Sequence, residues 1–126
     1  VDQLSAKIPV VLVNAGGIQA DEHVTFPLSG PNVFPIAGPH LTAINSLAVQ
    51  SAVLAKAQAF VGTYGGLMQL AVRLGKPAAG FYTKFDGTAY AHKHLTEWLG
   101  VQQGSPVWIG RPDDARFLRD LFAGLV

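Results

Sequence analysis

The stretch AFVGTYGGLMQLAVRLGKPAAGFYT, Ala59–Thr83, decides how the chain is read. It predicts a buried strand over Ala59–Gly62, a tight glycine turn, a helix over Leu67–Leu74 and a second buried strand over Ala78–Tyr82. Leu67, Leu70, Ala71 and Leu74 share one helical face and Arg73 takes the other, the period of a helix lying on a sheet. Gly75 supplies a carboxyl-terminal cap and Pro77 a stop. Strand to strand spans about 18 residues, a compact crossover that is expected to be right-handed. Gly65 and Gly66 lack a Cβ, so the backbone can turn sharply and approach a ligand closely. The helix that follows offers free N–H groups and a positive dipole end, both favourable to an anion such as phosphate. In an open parallel sheet such a turn lies at the carboxyl ends of the strands, where ligands sit. The same glycines also suit an ordinary strand-to-helix connection, and the residues alone leave both readings open.

Working outward, Ile8–Asn14 (IPVVLVN) is a nearly continuous aliphatic run, the pattern of a strand covered on both faces. It ends in Asn14-Ala15-Gly16-Gly17, a second flexible, backbone-rich loop expected on the same sheet edge as Gly65–Gly66. Two such loops on one edge suggest a cleft, while the Asn14–Gly17 loop taken alone fits a plain strand-to-loop exit equally well. Asp21, Glu22 and His23 are adjacent in sequence and have no distant partner, so no metal site is read there. Asn32–Ile36 is a short strand, and Pro35 places it at a sheet edge because proline cannot donate to a ladder. An alanine-rich helix is expected from Leu41 to Ala57, with Thr42, Asn45 and Ser46 as alternative caps.

Beyond the central stretch, TKFDGT (Thr83–Thr88) leaves the last central strand and brings Tyr82 and Asp86 to its carboxyl end. A carboxylate there suits ribose hydroxyls and an aromatic ring suits a base, while Asp86-Gly87 is also a common turn dipeptide. A helix is expected over Ala89–Leu99. His92 and His94 stand two apart on it and point in different directions, so they do not form a joint ligand pair; both read as partly exposed surface residues, and His92, near the cleft, could also contact a phosphate. Pro106–Ile109 is a last strand. The final helix begins at Pro112 or Asp113, with Phe117, Leu118, Leu121, Phe122 and Leu125 as its apolar stripe. Strands alternating with helices predict a single α/β domain over residues 1–126, a three-layer α/β/α sandwich on about five mostly parallel strands.

Composition narrows the partners. The 126 residues are 49% hydrophobic and only 13% charged, against ~25% charged in an average domain. Part of that apolar excess is expected to face a partner domain or subunit. A net charge of +1 lacks the basic footprint of a nucleic-acid binder. The chain has no cysteine, so disulfides and thiolate metal sites are excluded. No apolar run approaches the ~20 residues of a membrane span, and no signal-peptide pattern opens the sequence; a cytoplasmic protein is expected.

Val61-Gly62-Thr63-Tyr64-Gly65-Gly66-Leu67-Met68-Gln69-Leu70-Ala71, followed by Gly75-Lys76-Pro77, resembles the carboxyl-terminal domain of GT-B-fold glycosyltransferases. The likeness is to the heptosyltransferase-like group and the related UDP-N-acetylglucosamine 2-epimerases, and it covers roughly Leu47 to Tyr82. Those families carry a V-G-T-D-S-G-type turn into a helix, then L-G-x-P and a strand. This chain has Tyr64 in place of the Asp, Gly65 in place of the Ser and Gln69 in place of the usual His. The epimerase pattern also has Gln there but follows it with Glu, where this chain has Leu70. The resemblance implies a Rossmann-like half that holds the nucleotide diphosphate of a sugar donor. An amino-terminal half or partner subunit would complete the cleft and supply the acceptor-activating base. The loop reading and the resemblance together make Asn14, Gly16, Gly17, Thr63, Tyr64, Gly65, Gly66, Leu67, Gln69, Tyr82 and Asp86 the expected substrate contacts. The donor is a substrate, no cofactor or metal is implied, and no catalytic residue is assigned. Two alternatives stay open: an epimerase-like sugar-nucleotide domain, and a non-catalytic module that binds a nucleotide or a protein.

Overall fold

The computed structural model describes residues 5–13, 29–36, 44–82, 84 and 86–125. Asn14, Gly16, Gly17, the Asp21–His23 segment, Thr83 and Phe85 lie outside them. Among the described residues the order is β1 (Val10–Leu12), β2 (Val33–Pro35), α1 (Ser46–Lys56), β3 (Phe60–Thr63), α2 (Gly66–Arg73), β4 (Ala78–Phe81), α3 (Gly87–Gln103), β5 (Val107–Gly110) and α4 (Ala115–Leu125). All strand pairs are parallel, and the strands fall into two sheets ordered β1-β2 and β3-β4-β5. This is the Rossmann-like α/β arrangement that the alternation of strand and helix patterns predicts. The chain forms two compact units, Val1–Val53 and Leu54–Val126.

In the smaller unit, β1 and β2 pair with Val10 opposite Val33 and Leu12 opposite Pro35. Pro35 sits on an outer strand of a two-stranded sheet, where its missing N–H breaks no ladder. Asn32 Nδ2 donates to Ser5 O at 2.8 Å, and Gln50 Nε2 donates to Val13 O at 3.2 Å.

The larger unit is three layers deep. In register, Phe60, Ala78 and Val107 share one face of the sheet with Gly62, Gly80 and Ile109. That face takes α2 and α3: Phe60, Met68, Ala71, Val72, Ala78 and Leu99 form the buried core, with Leu54 beside them. The opposite face takes α4, where the Phe81 and Phe117 rings meet edge to face at 5.6 Å. Gly80 explains how closely α2 sits. A Cβ there would lie 2.3 Å from Met68 Sδ and 3.1 Å from Tyr64 Cβ, so only glycine admits the fully buried Met68. On the far face Gly110 does the same for Phe117, whose ring would be 2.5 Å from an added Cβ.

Element ends differ from the sequence expectation where capping chemistry decides them. Helix α3 begins at Gly87, two residues early, because the Asp86 carboxylate accepts from Ala89 N–H at 2.9 Å. It runs on to Gln103 because the left-handed residue that stops it is Gly104, at φ 63°. Helix α4 takes Asp114 rather than Pro112 or Asp113 as its cap; the Asp114 carboxylate accepts from Arg116 and Phe117 N–H. Helix α1 starts at Ser46, with Val49 N–H bonded to Asn45 O; Leu41–Ala43 lie outside the described residues. Gly75, at φ 72°, closes α2 as its sequence position predicts.

Candidate functional site

Each strand of the larger sheet hands the chain to a helix at the same edge. Tyr64 follows β3, Tyr82 follows β4 and Arg111 follows β5. The pairing of Thr63 with Phe81 and of Phe81 with Gly110 sets these three residues in a row. Tyr64 N–H donates to Phe81 O at 3.1 Å and Tyr82 N–H to Gly110 O at 3.2 Å, so the ladder continues into the row. Strand alternation sends the two tyrosines toward the α2–α3 face. There Tyr64 meets Tyr82 edge-on, with centroids 6.4 Å apart and planes at 84°. It meets the His92 ring of α3 at 6.3 Å and 61°. Tyr64 and Tyr82 are half-buried and His92 is exposed, so the cluster has a floor and an open rim.

The glycine turn lies beside this cluster. Gly65 holds φ 154° and ψ −159°, a region that side-chain-bearing residues rarely enter. No side chain caps α2. Its first helical bond at this end is Gln69 N–H to Gly65 O at 3.0 Å, so the preceding amides are those a helix start leaves without intrahelical acceptors. A Cβ built on Gly65 or on Gly66 would touch nothing within 4 Å, so the space around the turn is open. The turn thus offers backbone N–H donors, the positive end of an eight-residue helix and room in front of both.

The other expected site residues divide. Thr63 is the exposed last residue of β3 and stands next to the turn. Leu67 packs its side chain against the core, so only its amide is available to a ligand. Gln69 is half-buried one turn into α2. Asp86 is exposed and caps α3. The histidines of α3 separate as their spacing requires: His92 meets Tyr64, while His94 meets Tyr90 edge-on with ring centroids 4.2 Å apart. Among the described residues no three His, Asp or Glu side chains gather where they could hold a metal ion.

Arg111 is the residue this edge adds to the sequence reading. Its guanidinium forks onto Asp113, Nε to Oδ1 at 2.9 Å and Nη2 to Oδ2 at 2.8 Å. The hydrogen bond and charge of Asp113 push the Arg111 pKa up, and the hydrogen bond from Arg111 holds the Asp113 carboxyl below its ordinary value. Both side chains are exposed. Arg111 becomes the first residue after a strand, as Tyr64 and Tyr82 are, only with the strand ends the structure gives: Thr63, Phe81 and Gly110.

Comparisons with protein-family models, with curated proteins and with solved structures found no match. No helix among the described residues is long and apolar enough to cross a membrane.

Proposed function

We propose that the chain binds the nucleotide diphosphate of a sugar donor, as the carboxyl-terminal half of a GT-B-type glycosyltransferase. The observation that carries this reading is the uncapped glycine start of α2, open to solvent at the carboxyl edge of a parallel sheet. The diphosphate would lie on the amides of Gly65–Leu67. A helix terminus contributes about 0.3–1 kcal/mol toward an anion, up to ~2 in a sheltered geometry. That alone gives weak binding, so the neighbouring rings matter. Base–aromatic stacking adds about 1–3 kcal/mol, and Tyr64 and Tyr82 are the half-buried aromatics within reach of the turn. Thr63 and Gln69 flank the same corner.

In such a transferase the donor half stabilises charge on the departing diphosphate while an acceptor hydroxyl attacks the anomeric carbon. Preorganised backbone donors act on that charge as it develops; removing one such donor typically costs about 3–4 kcal/mol of barrier. The base that takes the acceptor proton would come from the amino-terminal half. The test is isothermal titration of the chain with UDP, GDP and ADP and their sugar conjugates. Saturable 1:1 binding of one base class, lost in Gly65→Asp, is the expected result. Absence of binding by all three would end the proposal, and binding without transfer in the presence of a complete amino-terminal half would reduce it to a non-catalytic module.

A further inference from the structure

Three parallel strands end side by side, and the residues that follow them stand in the order Tyr64, Tyr82, Arg111. Neighbouring strands lie about 4.8 Å apart, so Arg111 leaves the sheet roughly 10 Å from Tyr64 and the glycine turn, with Tyr82 between. The Arg111 guanidinium is held in place. Its Nε and Nη2 meet the two Asp113 oxygens side-on, and both side chains stay open to solvent. The outer edge of the fork remains: both Nη1 hydrogens and the second on Nη2 have no partner among the described residues. Tyr82 and Asp114 are close enough to act on the guanidinium charge. That charge is already offset, by Asp113 in contact and by Asp114 nearby. An anion gains little from such a cation, whereas a neutral group with two adjacent acceptors finds a fixed pair of donors.

We propose that Arg111, held by Asp113, reads the base of the donor and selects guanine, so that the donor is a guanosine-diphosphate sugar. The inference rests on the donor reading above and adds to it the identity of the base. With the diphosphate on the amides of Gly65–Leu67, the nucleoside extends along the row of strand ends, its base over Tyr82 and the far edge of that base at Arg111. Guanine presents O6 and N7 side by side, both acceptors, and an arginine fork donates to that pair with two parallel bonds. Adenine sets an amino donor beside N7, so one arm of the fork meets a hydrogen. Uracil offers O4 with no second acceptor beside it. The side-on bond to Asp113 leaves the end-on fork intact, so the carboxylate orients the guanidinium without competing for the base. Asp113 has also restricted a long, flexible side chain before any ligand arrives, which lowers the entropy lost on binding.

Titration calorimetry of the whole chain with GDP, UDP, ADP and inosine diphosphate tests it. Inosine diphosphate keeps O6 and N7 but lacks the amino group of guanine. GDP and inosine diphosphate should bind about 5- to 150-fold more tightly than UDP and ADP, the range that one bidentate base contact gives. The 7-deaza analogue of GDP, which lacks N7 alone, should fall toward UDP. Arg111→Lys keeps the charge but not the fork, and it should remove the GDP-to-UDP preference, as should Arg111→Ala; Asp113→Asn should reduce it. At these exposed positions the far-UV circular dichroism spectrum should not change. No binding by any of the four nucleotides removes the donor reading and this inference with it. Equal affinities, or a preference for UDP or ADP, overturn the choice of guanine and leave the donor site standing. A GDP preference that survives Arg111→Lys and Arg111→Ala, or an Arg111→Ala that weakens all four nucleotides equally, overturns the role of Arg111 as the reader of the base.

Discussion

Helices α3 and α4 open on aspartates whose carboxylates accept from their first amides, whereas α2 opens on a glycine with no side-chain cap. All three follow strands of one parallel sheet at one edge, so the difference is local chemistry and not position in the fold. An N-terminal Asp contributes about 1 kcal/mol to a helix, and α2 goes without it. Instead α2 gains its hold from packing: Met68, Ala71 and Val72 are fully buried. A helix anchored by its buried face can leave its donors exposed at the end, and donors in open space are what an anionic ligand needs. In the two capped helices a carboxylate already engages one such donor of α3 and two of α4. The contrast singles out α2 from among three otherwise similar strand-to-helix turns.

The comparison can be broken from either side. The largest effect is expected from Gly80→Ala, which forces a methyl group into Met68 and Tyr64. Overpacking of this kind costs about 1–3 kcal/mol, read as a lower urea midpoint, and nucleotide affinity should fall with it because α2 is displaced. Gly65→Asp gives α2 the cap its neighbours have. Backbone strain at φ 154° should cost about 1–3 kcal/mol, and the new carboxylate should weaken nucleotide binding about tenfold or more by calorimetry. Asp86→Ala does the reverse to α3. A loss of about 1 kcal/mol with unchanged nucleotide affinity is expected; lost affinity at constant stability would instead make Asp86 a ligand contact.

The smallest effect concerns the exposed pair beyond β5. Because Arg111 lowers the folded pKa of Asp113, the pair's contribution is present at neutral pH and is lost as pH falls through the folded value. Asp113→Asn should therefore flatten a shallow acid-side slope in thermal stability, and the difference should shrink in high salt.

Much of the scaffold was legible because it is written in short periods. The aliphatic run before Asn14, the helical spacing from Leu67 to Leu74 and the Gly75–Pro77 stop each depend on residues a few positions apart. The helix ends of α3 and α4 were read less well. Asp86 serves equally as a turn residue or a cap until the chain after it is known to be helical from Gly87, and Asp113 and Asp114 are equivalent on paper. The aromatic cluster was legible only as a set of possibilities. Tyr64, Tyr82 and His92 are far apart in sequence, and their meeting depends on strand register and on the side of the sheet that α3 takes. Arg111 and Gly80 passed unremarked for the same reason: one is defined by its place in a row of strand ends, the other by a methionine pressed against it.

The sequence by itself determined the order of elements, the parallel α/β class and the glycine turn before α2, since these follow from backbone preference and hydrophobic period. Only the tertiary contacts decided that the turn stands open, that two tyrosines and a histidine gather beside it, and that Tyr90, Trp98 and Val101 of α3 are left exposed. Those properties, the openness of the turn and the ring cluster beside it, arise from contacts and voids between distant segments, whose free energies no local window of residues contains.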